Sequence, residues 1–180
     1  MLPAVGVWIL FAAFVAGDPA WAADAAAMAA GDAARERGEY AEAVRHYRAA
    51  VAEAPKSYEA RFQLARMLSY TNLREEAIQL YTDLLTARPN NSDLLLARGR
   101  TYAWEGRWSE AEADLTAVTS RLPAYGDAWS ALGDMYLWSD RPGLAIKSYD
   151  RWIAVQPAEP RAYLARAKAY RSVGIITAAR

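Results

Sequence analysis

Residues 129–157 read WSALGDMYLWSDRPGLAIKSYDRWIAVQP, and the order of types in this stretch decides the fold. Trp129, Leu132, Gly133 and Tyr136 share one stripe at helical spacing. Ala145 and Tyr149 follow on a second helical stretch, which Pro157 stops. The same types recur in steps of 34 residues: Pro55, Pro89, Pro123 and Pro157; Ala43, Ala77, Ala111 and Ala145; Gly31, Ala65, Gly99 and Gly133; Tyr47, Tyr81, Leu115 and Tyr149. Such a period marks a helix–turn–helix unit. One unit cannot bury its apolar face alone, so units stack into a solenoid, which binds partners along its concave side.

Taking the prolines as unit ends gives units 24–57, 58–91, 92–125 and 126–159, with a partial fifth over 160–180. In the third, the spacing predicts a first helix from about Ser92 to Glu105 and a second from about Ser109 to Leu122. Gly38 and Gly106 stand where a first helix needs a left-handed residue to end. Ser109 and Glu112 read as a capping box opening a second helix. Pro142 and Pro160 fit the first turn of a helix. The first unit carries alanines (Ala27, Ala30, Ala34) on its core stripe, so it buries less apolar area and is expected to be the least stable end.

This pattern resembles the tetratricopeptide repeat family over four full units and part of a fifth. The resemblance implies an all-α, right-handed α–α superhelix that serves as a non-enzymatic binding scaffold. The family places a small alanine late in its second helix, where this chain has Ala50 but then Leu84, Val118 and Trp152; the size of Trp152 is expected to alter the packing around it. The segments TYAWEGRWSEAEADL (101–115) and MYLWSDRPGLAIKSY (135–149) also resemble the repeats that precede outer-membrane β-barrels in the YaiO-type family. More loosely, they are similar to the periplasmic repeat domains of polysaccharide exporters.

The chain is 54% hydrophobic with a mean hydropathy of −0.14, enough to bury a core. Its formal net charge of zero speaks against a nucleic-acid partner. With no cysteine there is no disulfide framework and no thiolate nucleophile. Residues 105–140 hold seven acids against two bases, and residues 141–180 hold eight bases against two acids. That asymmetry suits self-association or a charged partner; ordinary solvated helix faces are the plainer reading.

At the N-terminus, Val5 to Ala16 is an uncharged apolar run too short to span a bilayer. Asp18-Pro19 and then Ala20-Trp21-Ala22 follow, which makes residues 1–22 a signal peptide cut after Ala22 and the mature protein periplasmic. An uncleaved anchor, or a helix packed on the first unit, are the alternatives, because no Lys or Arg precedes the run. At the other end the chain stops at Arg180 inside the fifth unit, with Tyr163, Tyr170, Val173, Ile175 and Ile176 on that unit. A longer protein is the favoured reading, and a partner covering the last helix is the alternative. A membrane is therefore expected only through the signal or a region beyond Arg180.

Each first helix carries a second stripe, roughly 140° from the core stripe at 100° per residue. It holds Phe62, Arg66 and Tyr70, then Leu96, Arg100 and Trp104, then Ser130, Asp134 and Trp138, with Lys168 next. In the family that stripe faces the concave groove, so the groove is expected to carry a ladder of Tyr70, Trp104 and Trp138 beside a polar row. Aromatics with fixed polar groups suit a protein or peptide partner, or an envelope polysaccharide. The alternative is that these rings pack on one another or under Arg66 and Arg100 as cation–π pairs. Catalysis has little support: His46 is the sole histidine and reads as an exposed helix residue, no phosphate-binding glycine loop occurs, and neither cofactor nor metal is implied.

Overall fold

The computed structural model describes residues 19–174, with side chains from residue 25 onward. The apolar run read as a signal, and Ile175 and Ile176, lie outside the described residues. Among the described residues there are nine α-helices and no strand, in two compact units, Met1–Thr71 and Asn72–Arg180. No helix among them is long and apolar enough to cross a membrane.

The first unit holds α1 (Pro19–Glu36), α2 (Tyr40–Glu53) and α3 (Tyr58–Ser69). α2 packs on α1 and α3 on α2. Close approach of the first pair rests on Gly31: a Cβ there would sit 2.6 Å from the ring of Tyr47. Ala34, Ala43, Tyr47 and Ala50 are buried in this unit, and the Tyr47 hydroxyl donates to Asp32 Oδ1 at 2.8 Å. Ser57 caps α3 by accepting from the Ala60 amide, and Leu64, Met67 and Leu68 give that helix its buried face.

The second unit holds α4 (Arg74–Ala87), α5 (Ser92–Trp104), α6 (Trp108–Arg121), α7 (Gly126–Trp138), α8 (Pro142–Val155) and α9 (Pro160–Ser172). Each helix from α5 onward packs on the one before it. In addition α5 touches α7 and α7 touches α9, so the odd-numbered helices share a face. Gly99 lies against Leu115 and Gly133 against Tyr149, with would-be Cβ distances of 2.9 and 2.4 Å. Trp152 is buried where the family's alanine would stand. Room for it comes from Gly126, whose Cβ would meet Gln156 Oε1 at 2.3 Å and Trp152 Cδ1 at 3.0 Å, and the indole N–H donates to Gln156 at 2.7 Å.

Gly38 and Gly106 take positive φ (76° and 72°) at the ends of α1 and α5, as their positions demand. Asp140 does the same work after α7 with φ 56°, which a short polar side chain tolerates. At the two later turns the next amide reaches back: Arg107 N–H to Tyr102 O and Arg141 N–H to Tyr136 O, at 2.9 and 2.8 Å. The capping box expected at Ser109 and Glu112 does not form. α6 starts at Trp108 with Arg107 as N-cap and no side-chain cap bond, so Ser109 already lies inside the first turn. Glu112 is engaged elsewhere, accepting from the Tyr136 hydroxyl at 2.8 Å and from Arg141 at 2.7 Å.

Candidate functional site

The Gly-Arg and Asp-Arg pairs of 106–107 and 140–141 serve the stacking of helices. Arg107 lies 4.5 Å over the Tyr102 ring and bridges Glu75 and Glu110 at 3.2 and 2.9 Å. Arg141 lies 4.8 Å over the Tyr136 ring while holding Glu112. Burial, then the Glu112 carboxylate that accepts its proton, pushes the Tyr136 hydroxyl up to about 12. Both arginines are used within the fold, and neither points to a ligand.

The stripe residues fall out differently in each unit. In the first, Phe62 stacks on Tyr58 at 5.8 Å with Arg66 over its ring, and Arg66 also donates to Gln63 at 3.0 Å. Tyr70 is half exposed and stacks on Tyr40 at 5.1 Å and 26°. A contact within the repeat array thus engages one face of this ring, and the sequence reading had not named Tyr40.

In the second unit Leu96 is buried, at 5% exposure, and gives no surface to a groove; this corrects its place in the stripe. Arg100 reaches the backbone carbonyl of Asp127 at 3.1 Å, and Trp104 is partly buried at the end of α5. Asp134, Trp138 and Lys168 do come together. They line one pocket of about 500 Å³ between α7, α8 and α9, with Tyr149 and Trp152 behind them. Leu164 and Arg161 line it too, and the sequence reading missed both. The signal for Leu164 was available, since it continues the row Phe62, Leu96, Ser130 by one more step of 34.

Asp134 is the chemical centre of this pocket. Tyr149 donates to its Oδ1 at 2.7 Å, the same pairing as Tyr47 with Asp32. Burial pushes the Asp134 carboxyl above its ordinary range, while the Tyr149 hydrogen bond and the charges of Arg100 and Lys168 pull it back. A carboxylate kept at such a cost is a frequent mark of a binding site. The shift also fixes a pH dependence. With the folded pKa above the unfolded one of about 3.9, the contribution of this group is full below that value and is lost as pH rises through the folded pKa. Asp134→Asn keeps an acceptor for Tyr149 and removes the titration. Urea unfolding across acid to neutral pH is expected to show the variant gaining on the parent as pH rises, then a constant difference.

Two tetratricopeptide-repeat family models match the chain, one over residues 28–92 and the other over 73–119. The chain is built of tetratricopeptide repeats. Solved structures agree on the fold. MamA from Desulfovibrio magneticus RS-1 matches with a TM-score of 0.73 at 19% identity, covering 91% of this chain and 90% of that one. The type IV pilus biogenesis factor PilW gives 0.80 at 19% identity, covering 90% and 74%. YrrB, a tetratricopeptide protein with an unusual peptide-binding site, gives 0.68 at 23% identity, covering 83% and 76%. At these identities the likeness shows the all-α superhelical repeat fold. A search of curated proteins returned no significant match. Within the repeats, the pocket is formed by first-helix residues of α7 and α9 together with the second helix α8. No group of three or more metal-ligating side chains is assembled among the described residues.

Proposed function

We propose that this chain is a non-enzymatic scaffold of the bacterial envelope that holds a protein or peptide partner on the face shared by α5, α7 and α9. The observation that carries the reading is the pocket where Trp138, 52% exposed, stands beside Asp134 and Lys168. An exposed indole next to fixed polar groups is the usual make-up of a binding anchor. The naming of YrrB for a peptide-binding site supports the same direction. The finer reading is a periplasmic part of a polysaccharide export or outer-membrane system. It is supported by the resemblance of segments 101–115 and 135–149 stated above, and by the open face of Trp138, on which a sugar ring could stack. An adaptor in an envelope complex, or a repeat protein anchored in the inner membrane, is the rival arrangement.

Two measurements test the reading. Trp104→Ala with Trp138→Ala is expected to weaken a library-selected peptide by about thirtyfold, since truncating an aromatic anchor costs ~2 kcal/mol or more. Loss of a buried Trp would instead cost ~3–5 kcal/mol of stability. A double variant that melts far below the parent, or binds equally well, makes these rings packing. The envelope location rests on the N-terminal signal. N-terminal sequencing of the periplasmic protein is expected to begin at Ala23, and an intact Met1 in that fraction would sink the cleaved-signal reading.

A further inference from the structure

Two phenols meet at one end of the first unit. Tyr40 opens α2 and Tyr70 follows the last turn of α3, and the packing of α3 on α2 brings together residues 30 apart in sequence. Their rings stack with centroids 5.1 Å apart and planes 26° from parallel. Both are open to solvent, at 39% and 50% exposure. Tyr58 and Phe62 form a similar stack nearby, at 5.8 Å and 13°, but with a single hydroxyl.

Two stacked phenols have a reaction that a phenol beside a phenylalanine lacks. A one-electron oxidant, such as a haem peroxidase acting with hydrogen peroxide, takes one electron and one proton from each hydroxyl. The unpaired electron of each phenoxyl radical is shared between its oxygen and the ring carbons ortho to it. The two radicals join ortho carbon to ortho carbon, and the hydrogen on each of those carbons moves to the oxygen of its own ring. One C–C bond is made, two electrons and two protons leave, and one peroxide becomes two waters. Radicals on separate molecules must first find each other, and a standing stack removes that search. Competing sinks are few. The chain has no cysteine, Tyr47, Tyr81 and Tyr149 are sealed in the core, and Met67 is buried with them.

We propose that Tyr40 and Tyr70 are an oxidative cross-linking site, coupled by a peroxidase-type oxidant into a dityrosine that ties the start of α2 to the end of α3. The bond closes a loop of 30 residues in the alanine-rich first unit, and does there what a disulfide does in chains that have cysteine. The site stands apart from the partner-binding reading and needs no partner.

The test uses the full chain at low concentration with a plant haem peroxidase and hydrogen peroxide. Dityrosine fluorescence is expected in a species that still runs as a monomer and has lost two hydrogens in mass. Trypsin is expected to release residues 38–45 joined to 67–74. Tyr40→Phe and Tyr70→Phe keep the ring and remove the hydroxyl, and each is expected to lose the joined peptide altogether. Tyr163→Phe, whose hydroxyl donates to Pro157 O beside α9, is expected to leave it unchanged. The cross-linked chain is expected to melt several degrees above the untreated one, a gain that treated Tyr40→Phe does not show. Coupling only between chains, rising with concentration, or a joined peptide that survives in either phenylalanine variant, overturns the site. A joined chain that melts no higher than the untreated one overturns its role as a tie.

Discussion

Gly133→Leu is expected to lower the melting point of the chain by several degrees or more. The reason is local and geometric. A Cβ alone at this position would lie 2.4 Å from Tyr149 Cε1 and 2.7 Å from Cδ1, closer than real atoms approach. Tyr149 cannot swing away cheaply, because it is fully buried and its hydroxyl is held by Asp134. Overpacking of this kind typically costs ~1–3 kcal/mol, and a leucine adds three more carbons to the clash. A glycine replaced inside a helix otherwise gains about 1 kcal/mol from propensity, so the two effects compete and the clash wins here. Gly143 supplies the control. It lies in α8 with nothing within 4 Å of its would-be Cβ, so Gly143→Ala is expected to stabilise slightly. Thermal melts of the two variants should move in opposite directions. An unchanged melt for Gly133→Leu would mean that α7 and α8 are not packed in this register.

The second large effect is expected at Arg98. Its guanidinium holds Asp114 through two bonds, Nε to Oδ2 at 2.7 Å and Nη2 to Oδ1 at 2.9 Å, and its Nη1 donates to Thr82 at 3.0 Å. One side chain on α5 thereby ties α4 to α6. The Asp114 side chain is 9% exposed and that of Arg98 18%. Arg98→Met leaves a carboxylate in that setting without its partner, a change that typically costs ~3–5 kcal/mol. Removing both charges is a different matter, since buried pairs replaced by well-packed apolar groups are often neutral or better. Arg98→Met with Asp114→Leu is therefore expected to recover most of the loss in urea midpoints. A double variant no better than Arg98→Met would show that Arg98 acts through packing over Tyr102, whose ring it faces at 5.6 Å, and not through the pair. Exposed ties such as Arg74 with Glu105 at 3.0 Å are worth far less, at about 0–1 kcal/mol each.

What could be read from the sequence follows the strictness of the geometry. Gly133 against Tyr149 was legible because close helix approach admits only a small residue, and the period repeats it. Gly38 and Gly106 were legible because a left-handed turn favours one residue type. Asp140 fills the same place and was not singled out, since aspartate has many other uses. The capping box at Ser109 was misread because Glu112 matches the spacing while its carboxylate serves the next helix hairpin. Leu96 was misplaced because a step of 34 fixes which row a residue joins and not how deep that row lies in each unit. Arg98 with Asp114 carries no local signature at all; only the folded chain brings them together across 16 residues.

The ties described in the second unit join residues that are close along the chain: 15 apart for Asp134 and Tyr149, 16 for Arg98 and Asp114, 29 for Glu112 and Arg141, and 32 for Glu75 and Arg107. Closing loops of that length costs little entropy, and each doubling adds only about 0.6 kcal/mol. Such a unit has low contact order, so it belongs with the fast folders. It need not wait for distant segments to meet. Any helix pair can form first and serve as the template on which the next condenses, so a newly made chain can build this array in the order in which it is synthesised.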